Sequence, residues 1–487
     1  MSFIAMPEPD GSILARRDQI ISALKTALRP DLVITSEDER RAYDTDALTA
    51  YRQMPMAVVL PESTEQVSAA MAVCNRMGVK VVARGAGTSL AGGALPMADA
   101  VVIGVSKMNK VLDVNYDNRT ARVEAGITNI GISNAVGYDD FFYAPDPSSQ
   151  LACTIAGNVA MNSGGAHCLK YGVTTNNVLG AKVVLMDGSI VELGGDYLDA
   201  PGLDMLGLFV GSEGQLGMVT EVTVRILRKA EGARPMMMGF DSAETAGACV
   251  SDIIASGIIP VAIEYMDRPA IKVCESFAHA GYPLDVEALL IVEVEGSEEE
   301  IAFYLDKIKA IAADHKPLTM KVSESEAESA AIWKGRKSAF GAMGRISDYM
   351  CMDGTIPTGQ LPHVLRRITE IADHYGLSVA NIFHAGDGNM HPLILYNVND
   401  PDQLEKAERC GADILKLCVE AGGCLTGEHG VGIEKRDLMV DQFNTVDLDQ
   451  QMAIKTIFDP QWLLNPAKVF PLEGRPVPAS HELDHAA

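Results

Sequence analysis

Four loops of small residues, spread over about 135 residues, constrain this chain more than any other feature. The first, Arg84-Gly85-Ala86-Gly87-Thr88-Ser89-Leu-Ala-Gly-Gly93, directly follows the strand-like run 79–83. Glycine permits positive φ and close approach, so such a loop can turn several backbone N–H groups toward a phosphate. It is not a Walker A loop, since no Gly-Lys-Ser/Thr follows. Nor is it a dinucleotide fingerprint, because Leu90 stands where the third glycine belongs. The second loop, Pro145-Asp146-Pro-Ser148-Ser149, is rigid and ends in hydroxyls. The third, Thr154-Ile-Ala-Gly157-Asn158-Val-Ala-Met-Asn162-Ser-Gly164-Gly165, pairs small residues with amide side chains. The fourth, Gly211-Ser-Glu213-Gly214-Gln-Leu-Gly217-Met-Val219-Thr220, runs into a strand. Each alone reads as a tight turn. Together they suit a long ligand with a pyrophosphate and two ring systems.

The segments around these loops alternate between helix and strand periods. Ile20, Ile21, Leu24 and Leu28 recur at helical spacing and Ser36-x-x-Glu39 offers a capping box, so residues 1–50 read as a helical leading segment. Ser63-x-x-Gln66 caps a helix whose stripe Val67, Ala70, Met71 and Cys74 stops at Gly78. Runs 111–116 and 120–124 form a hairpin about Asp117-Asn118. Charge, glycine and proline over 227–235 mark a boundary, dividing a first domain, 51–229, from a second, 230–471. In the second, helical patterns at 245–254, 298–313, 327–341, 361–375 and 403–420 alternate with strands such as 289–295. This predicts an α+β domain whose helices cover one face of an antiparallel sheet. The tail 472–487 is expected to be disordered.

The second domain carries the reactive side chains. His384-Ala-Gly-Asp387-Gly-Asn389-Met-His391 lies between strand patterns, and Gly427-Glu428-His429-Gly430 begins 36 residues after His391. Asp387-Gly388 is a strong turn dipeptide, so His384 and His391 face each other across a tight loop. Imidazole and carboxylate suit a zinc- or manganese-class divalent ion, and a further histidine beside it is a proton acceptor near neutral pH. The residues alone leave open which of Glu428 and His429 is ligand and which is base. The bland reading is two histidines capping backbone groups in a hairpin, and a metal-dependent hydrolase fits the hairpin as well. Asp387 and Asn389 read as turn formers. Arg336, at W-x-x-R on a predicted helix, is the candidate carboxylate anchor, because guanidinium matches carboxylate in a bidentate fork. Its neighbour Lys337 reads as solvated.

Bulk properties narrow the partners. A chain of 487 residues exceeds one hydrophobic core. The formal net charge of −25 argues against nucleic acid and anionic membrane surfaces. Nine scattered cysteines without a C-x-x-C pair exclude the usual iron–sulfur and zinc-ribbon patterns and fit a reducing compartment. No signal-peptide pattern and no membrane-spanning apolar run occur, so a cytoplasmic location is expected.

The four loops in this order, followed by H-x-G-D-G-N-x-H and G-E-H-G-x-G, resemble the FAD-linked oxidoreductases of the vanillyl-alcohol-oxidase/PCMH type. Trp333-Lys-Gly-Arg336-Lys-Ser-Ala-Phe340 and Tyr349-Met-Cys-Met-Asp353-Gly-Thr-Ile-Pro357 are most similar to the glycolate oxidase flavoprotein-subunit branch, related to D-lactate and D-2-hydroxyglutarate dehydrogenases. The resemblance implies an FAD domain of two subdomains, then a substrate domain, with the segment 458–469 returning to the flavin. It implies that Arg84, Gly85, Ala86, Gly87, Thr88 and Ser89 cradle the pyrophosphate. Pro145, Asp146, Ser148, Ser149, Gly157, Asn158, Asn162, Gly164, Gly165, Glu213, Gly214, Gly217, Val219 and Asn465 would surround the rest of FAD. No histidine occupies residues 84–89, so FAD is expected to be non-covalent, and His167 is read as structural.

The resemblance also implies that His384, His391 and Glu428 hold the metal, with His429 as base and Arg336 as anchor. The implied activity is oxidation of a small 2-hydroxy acid, glycolate or D-lactate, by hydride transfer from C2 to FAD. Phe340 and Cys351 stand where relatives acting on 2-hydroxyglutarate are expected to carry polar groups, which points to a small substrate side chain. Companion flavin-domain and iron–sulfur subunits, and peripheral membrane attachment through them, are implied too. The competing readings are a D-lactate or broader D-2-hydroxy-acid dehydrogenase with the same chemistry, and a flavin electron relay without substrate chemistry, against which the intact His384, His391, Glu428 and His429 count.

Overall fold

The computed structural model describes residues 4–197 and 202–472, so all but the first residue of the tail 472–487 lies outside the described residues. Helix Arg17–Ala27 turns Ile20 and Leu24 inward, and helix Thr64–Met77 turns Val67, Ala70, Met71 and Cys74 to the same core. The Ser63 hydroxyl accepts the Gln66 N–H, and Gly78 ends the helix at φ 67°. Both helices pack on a four-stranded sheet in the order Val33–Ile34, Ala57–Val59, Ala100–Gly104, Lys80–Arg84. The last three strands are parallel and the first is antiparallel. The leading segment is therefore helical only in part, since it also supplies an edge strand. Its Ser36 capping box yields a single turn, Glu37–Arg40, in which the Ser36 hydroxyl bonds the Glu39 carboxylate and no backbone N–H.

The expected hairpin forms as Val111–Asn115 and Thr120–Glu124, at one side of a five-stranded antiparallel sheet. Strands Met218–Arg225, Val178–Val184 and Ile190–Gly194 complete it. The second domain is built on seven antiparallel strands in the order Thr319–Val322, Gly232–Phe240, Ala288–Gly296, Ala262–Asp267, Ser378–His384, Pro392–Tyr396, Asp348–Cys351. Helices Ala243–Ala255, Glu298–Asp314, Leu361–Tyr375 and Pro401–Glu420 cover one face, against Met236, Phe240, Tyr265 and Leu290.

The other face is covered as well. Helices Arg268–Ala278, Glu326–Lys337 and Ala339–Met343 pack there on Met237, Met266, Leu289 and Ile291. The expectation of a single covered face is corrected by the strand Ala288–Gly296, whose first seven residues are all buried. A continuous apolar run, without alternation, marks a strand enclosed on both sides. The helical pattern predicted over 327–341 is likewise broken at Ser338 into two helices.

After helix Thr445–Phe458 the chain returns to the first domain. Val81 N–H donates to Leu463 O at 2.8 Å and Asn465 N–H donates to Val81 O at 2.7 Å. The buried Lys455 ammonium fixes this crossing by donating to Gln215 O, Leu464 O and the Asp459 carboxylate. Other contacts also join the domains. The Glu213 carboxylate accepts the N–H groups of Val431 and Gly432 at 2.6 and 2.8 Å. His167 lies 2.8 Å from Asp146 and 3.4 Å from Glu293.

Burial alone would depress the His167 pKa, but the Asp146 and Glu293 carboxylates outweigh it and push it up to about 10. A raised folded-state pKa contributes stability that is fully present below the free imidazole value of about 6.5 and is lost as pH rises through the folded value. The variant His167→Gln should therefore unfold at lower urea than the parent near neutral pH, with the gap closing above about pH 10. A urea midpoint difference that does not change with pH would show that the imidazole is uncharged.

Candidate active site

A cavity of about 500 Å³ is lined from both domains. Arg84, Gly85, Ala86, Gly87, Thr88, Ser89, Ser148, Ser149, Gly157, Asn158, Glu213, Gly214, Gly217, Val219 and Asn465 line it, as do His384, His391, Glu428 and His429. The loops and the histidine hairpin thus share one space. Pro145, Asp146, Asn162, Gly164, Gly165 and Arg336 do not line it. Asp146 is committed to His167, and Gly165 sits at φ 151° with no room for a Cβ beside the Asp146 carbonyl. The Asn162 side chain accepts the Thr175 N–H, and Gly164 donates its N–H to Glu428 Oε2 at 3.0 Å.

The first loop is a cradle of free donors. Among the described residues no hydrogen-bond acceptor takes the backbone N–H groups of Gly85 through Ser89. A Cβ on Gly85 would lie 2.3 Å from Thr154 Oγ1, and one on Gly87 would lie 2.1 Å from an Arg84 guanidinium nitrogen. Glycine is required here by space as well as by the φ of 77° at Gly87. Asn465 closes the wall, its side chain accepting from Ala83 N–H at 2.9 Å and donating to Glu213 O at 2.7 Å.

The hairpin forms as the turn dipeptide predicts, with Gly388 at φ 76° and a bridge between His384 and Asn389. His391 Nε2 lies 3.3 Å and His384 Nε2 lies 3.6 Å from Glu428 Oε1. Two ligands at about 2.0–2.1 Å from one zinc, at a tetrahedral angle, lie roughly 3.4 Å apart, so this donor set fits a divalent ion. Burial opposes charge on His384, but the Glu264 and Glu428 carboxylates hold its pKa well above the ordinary value. For Glu428, burial is outweighed by hydrogen bonds from His384 and His391, which pull its carboxyl well below the usual range. His429 differs: burial pushes its imidazole down to about 4, and its Nδ1 has no hydrogen-bond partner among the described residues.

Residues 55–194 match an FAD binding domain, and residues 229–469 match the C-terminal domain of FAD linked oxidases. The glycolate oxidase subunit GlcD of Escherichia coli K12 is 48% identical over 468 residues, 96% of this chain and 93% of that protein. The chain belongs to the FAD-linked oxidases. The D-lactate dehydrogenase of Archaeoglobus fulgidus is 31% identical over 90% of this chain and 96% of that protein. The structure of p-cresol methylhydroxylase shares the fold, with a TM-score of 0.79 at 15% identity, over 97% of this chain and all of that one. The architecture is the two-domain PCMH type, and the cavity's free donors and 500 Å³ volume suit the FAD of such an oxidase.

In this FAD-linked oxidase three polar groups, Glu264, Arg336 and Asp353, make contacts that pattern reading did not foresee. Glu264, fully buried on strand Ala262–Asp267, accepts from Arg336 Nε at 2.7 Å and lies 2.7 Å from His384 Nδ1. It fixes which His384 nitrogen faces the cavity, a role that carboxylates often play behind metal-binding histidines. Arg336 is thereby held away from the cavity, while Lys337 is exposed, as read, and reaches the cavity's lining with its ammonium 3.7 Å from Asp146. The third group is Asp353, whose carboxylate accepts the N–H groups of Gly427, Glu428 and His429 and the amide of Asn389. Asn389 does more than shape the turn, since its Oδ1 lies 3.0 Å from His391 Nε2.

Proposed function

We propose that this oxidase converts a small 2-hydroxy acid, glycolate or D-lactate, to the corresponding 2-oxo acid. The observation that carries the reading is the single cavity shared by the cradle at residues 84–89 and by His384, His391, Glu428 and His429. The two curated relatives are named for hydroxy acids of this size, glycolate and D-lactate. FAD, held by the cradle at residues 84–89, would supply the acceptor for the C2 hydride. A zinc- or manganese-class ion, when bound by His384, His391 and Glu428, lowers the pKa of the substrate hydroxyl.

The chain's own residues do the rest. His429 takes the hydroxyl proton, its imidazole being neutral and unpartnered at Nδ1. Lys337, exposed at the cavity's lining and 3.7 Å from Asp146, offers the substrate carboxylate a cation. For Arg336 to anchor it directly, Glu264 must yield one of its two partners; as placed, Arg336 acts through Glu264 on His384. Phe340 lines the cavity, and Cys351 lies behind the wall, buried beneath Tyr349, so little room is left for a long or charged substrate tail. FAD is held non-covalently in this reading, since the cradle at residues 84–89 holds no histidine.

Reduced flavin must then pass its electrons outward. No cysteine spacing here holds a cluster, and the E. coli relative is by name a subunit, so companion flavin-domain and iron–sulfur subunits are proposed as the acceptors. No helix among the described residues is long and apolar enough to cross a membrane. Attachment to one, from the cytoplasmic side, would run through those partners.

Purified protein should be yellow and should bleach anaerobically with glycolate or D-lactate. Flavin that stays oxidised with every 2-hydroxy acid tried would favour the electron-relay reading. In the same preparations His384→Ala should lose its metal and keep its flavin, and metal content equal to the parent's would remove His384 from the ligand set.

A further inference from the structure

A second group of metal-binding side chains lies beside the first. Cys351, His391 and His429 each offer a ligand atom within 4.8 Å of the others, as His384, His391 and Glu428 do. Cys351 Sγ is 3.8 Å from His391 Nδ1, while His391 Nε2 faces the other way, toward Glu428. A sulfur at about 2.3 Å and a nitrogen at about 2.0 Å from one zinc lie roughly 3.5 Å apart at a tetrahedral angle. The Cys351–His391 pair is already close to that spacing. His429 completes the set with one of its ring nitrogens, and its buried Nδ1 lacks a partner among the described residues. Of the nine cysteines, Cys351 alone joins such a group among the described residues.

We propose that Cys351, His391 and His429 form an inhibitory site for a thiophilic divalent cation, zinc foremost, which excludes the ion held by His384, His391 and Glu428. Exclusion follows from the shared imidazole. His391 offers Nε2 to one set and Nδ1 to the other, and it could serve both only as an imidazolate. Ligand softness sorts the ions: a thiolate with two imidazoles selects zinc, whereas exchanging thiolate for carboxylate suits manganese. Binding forms a zinc–thiolate bond and releases the thiol proton to solvent, with no change of oxidation state. The ion also occupies the imidazole assigned as base. The site itself stands apart from the proposed function; only its inhibitory consequence rests on that reading.

Zinc-edge X-ray absorption on the flavin-loaded holoenzyme, equilibrated with excess zinc, reads the site directly. A sulfur scatterer at about 2.3 Å is expected in the wild type and in His384→Ala, and its loss in Cys351→Ala. If that variant does not hold flavin, Cys351→Ser should lose the scatterer too. A wild-type zinc environment of nitrogen and oxygen alone overturns the proposal. Manganese content of the same samples separates the two readings. Sulfur-bound zinc with manganese retained in His384→Ala sinks the catalytic-metal reading and leaves this site standing. Nitrogen and oxygen around zinc, with manganese lost in His384→Ala, does the reverse.

Discussion

Replacing His429 with asparagine should lower kcat by a factor on the order of 10²–10⁴ while flavin absorbance and metal content stay at the parent level. The loop does not depend on the imidazole, because it is the backbone N–H of His429 that Asp353 holds, at 2.8 Å. The side chain itself is mostly buried, with Nε2 3.9 Å from Glu428 and its ring 4.9 Å from that of His391. Burial keeps it neutral at pH 7, because its pKa lies at about 4, so a lone pair is available to the substrate hydroxyl without prior deprotonation. Asparagine keeps a polar group near Nδ1 and removes the basic nitrogen. The rate of flavin reduction in an anaerobic stopped-flow mix isolates the step. A fall of less than tenfold would move the base to Glu428, the next carboxylate along, and return His429 to the metal.

The pattern of the sequence reached the loops and the hairpin because their information is local. Glycine spacing in residues 84–93 and the Asp387-Gly388 turn each dictate backbone geometry within a few residues. What it did not reach depends on pairing between distant segments. Glu264 meets His384 because strands Ala262–Asp267 and Ser378–His384 register those two residues opposite each other, 120 positions apart. A glutamate set between the apolar residues Ile263 and Tyr265 was the available signal, since carboxylates are seldom fully buried without a partner. Arg336 was placed on the correct helix, but the helix's rotation was not readable until Glu264 fixed it. The step of about 100° to the next residue then turns Lys337 to the cavity's lining. Asp353 precedes a glycine and looked like a turn, although its side chain holds together two loops that lie 36 and 75 residues further on.

That last residue supports the second large effect. Asp353→Ala should destroy metal binding and activity and lower the unfolding temperature of the second domain by several degrees, with FAD still bound. The Asp353 carboxylate is fully buried and accepts from Gly427, Glu428 and His429 N–H and from the Asn389 amide, at 2.8 to 3.2 Å. Burial raises its pKa, but nearby cationic groups, the Lys435 ammonium among them, outweigh that and hold the carboxyl below its usual range, so it is ionised at neutral pH. Alanine strands the Thr426 hydroxyl, the Glu428 and His429 N–H groups and the Asn389 amide, at about 1–3 kcal/mol each where water cannot reach them, while Gly427 keeps its bond to the Asp353 carbonyl. The sum, several kcal/mol, is a large part of the roughly 5–15 kcal/mol margin of a typical domain. The loop cannot relax freely either, because a Cβ on Gly427 would already lie 2.3 Å from the Asn389 amide nitrogen. Glu428 and His391 would lose their alignment together, since the Asp353 side chain grips both loops. Asp353→Asn keeps the shape but turns an amide toward N–H donors, so it should fall between the parent and alanine in both metal affinity and unfolding temperature. Asp353 does not line the cavity that holds the cradle at residues 84–89, which should keep its flavin in both variants. Parent-like manganese affinity in Asp353→Ala, measured by calorimetry, would mean that the Glu428 loop holds its shape unaided.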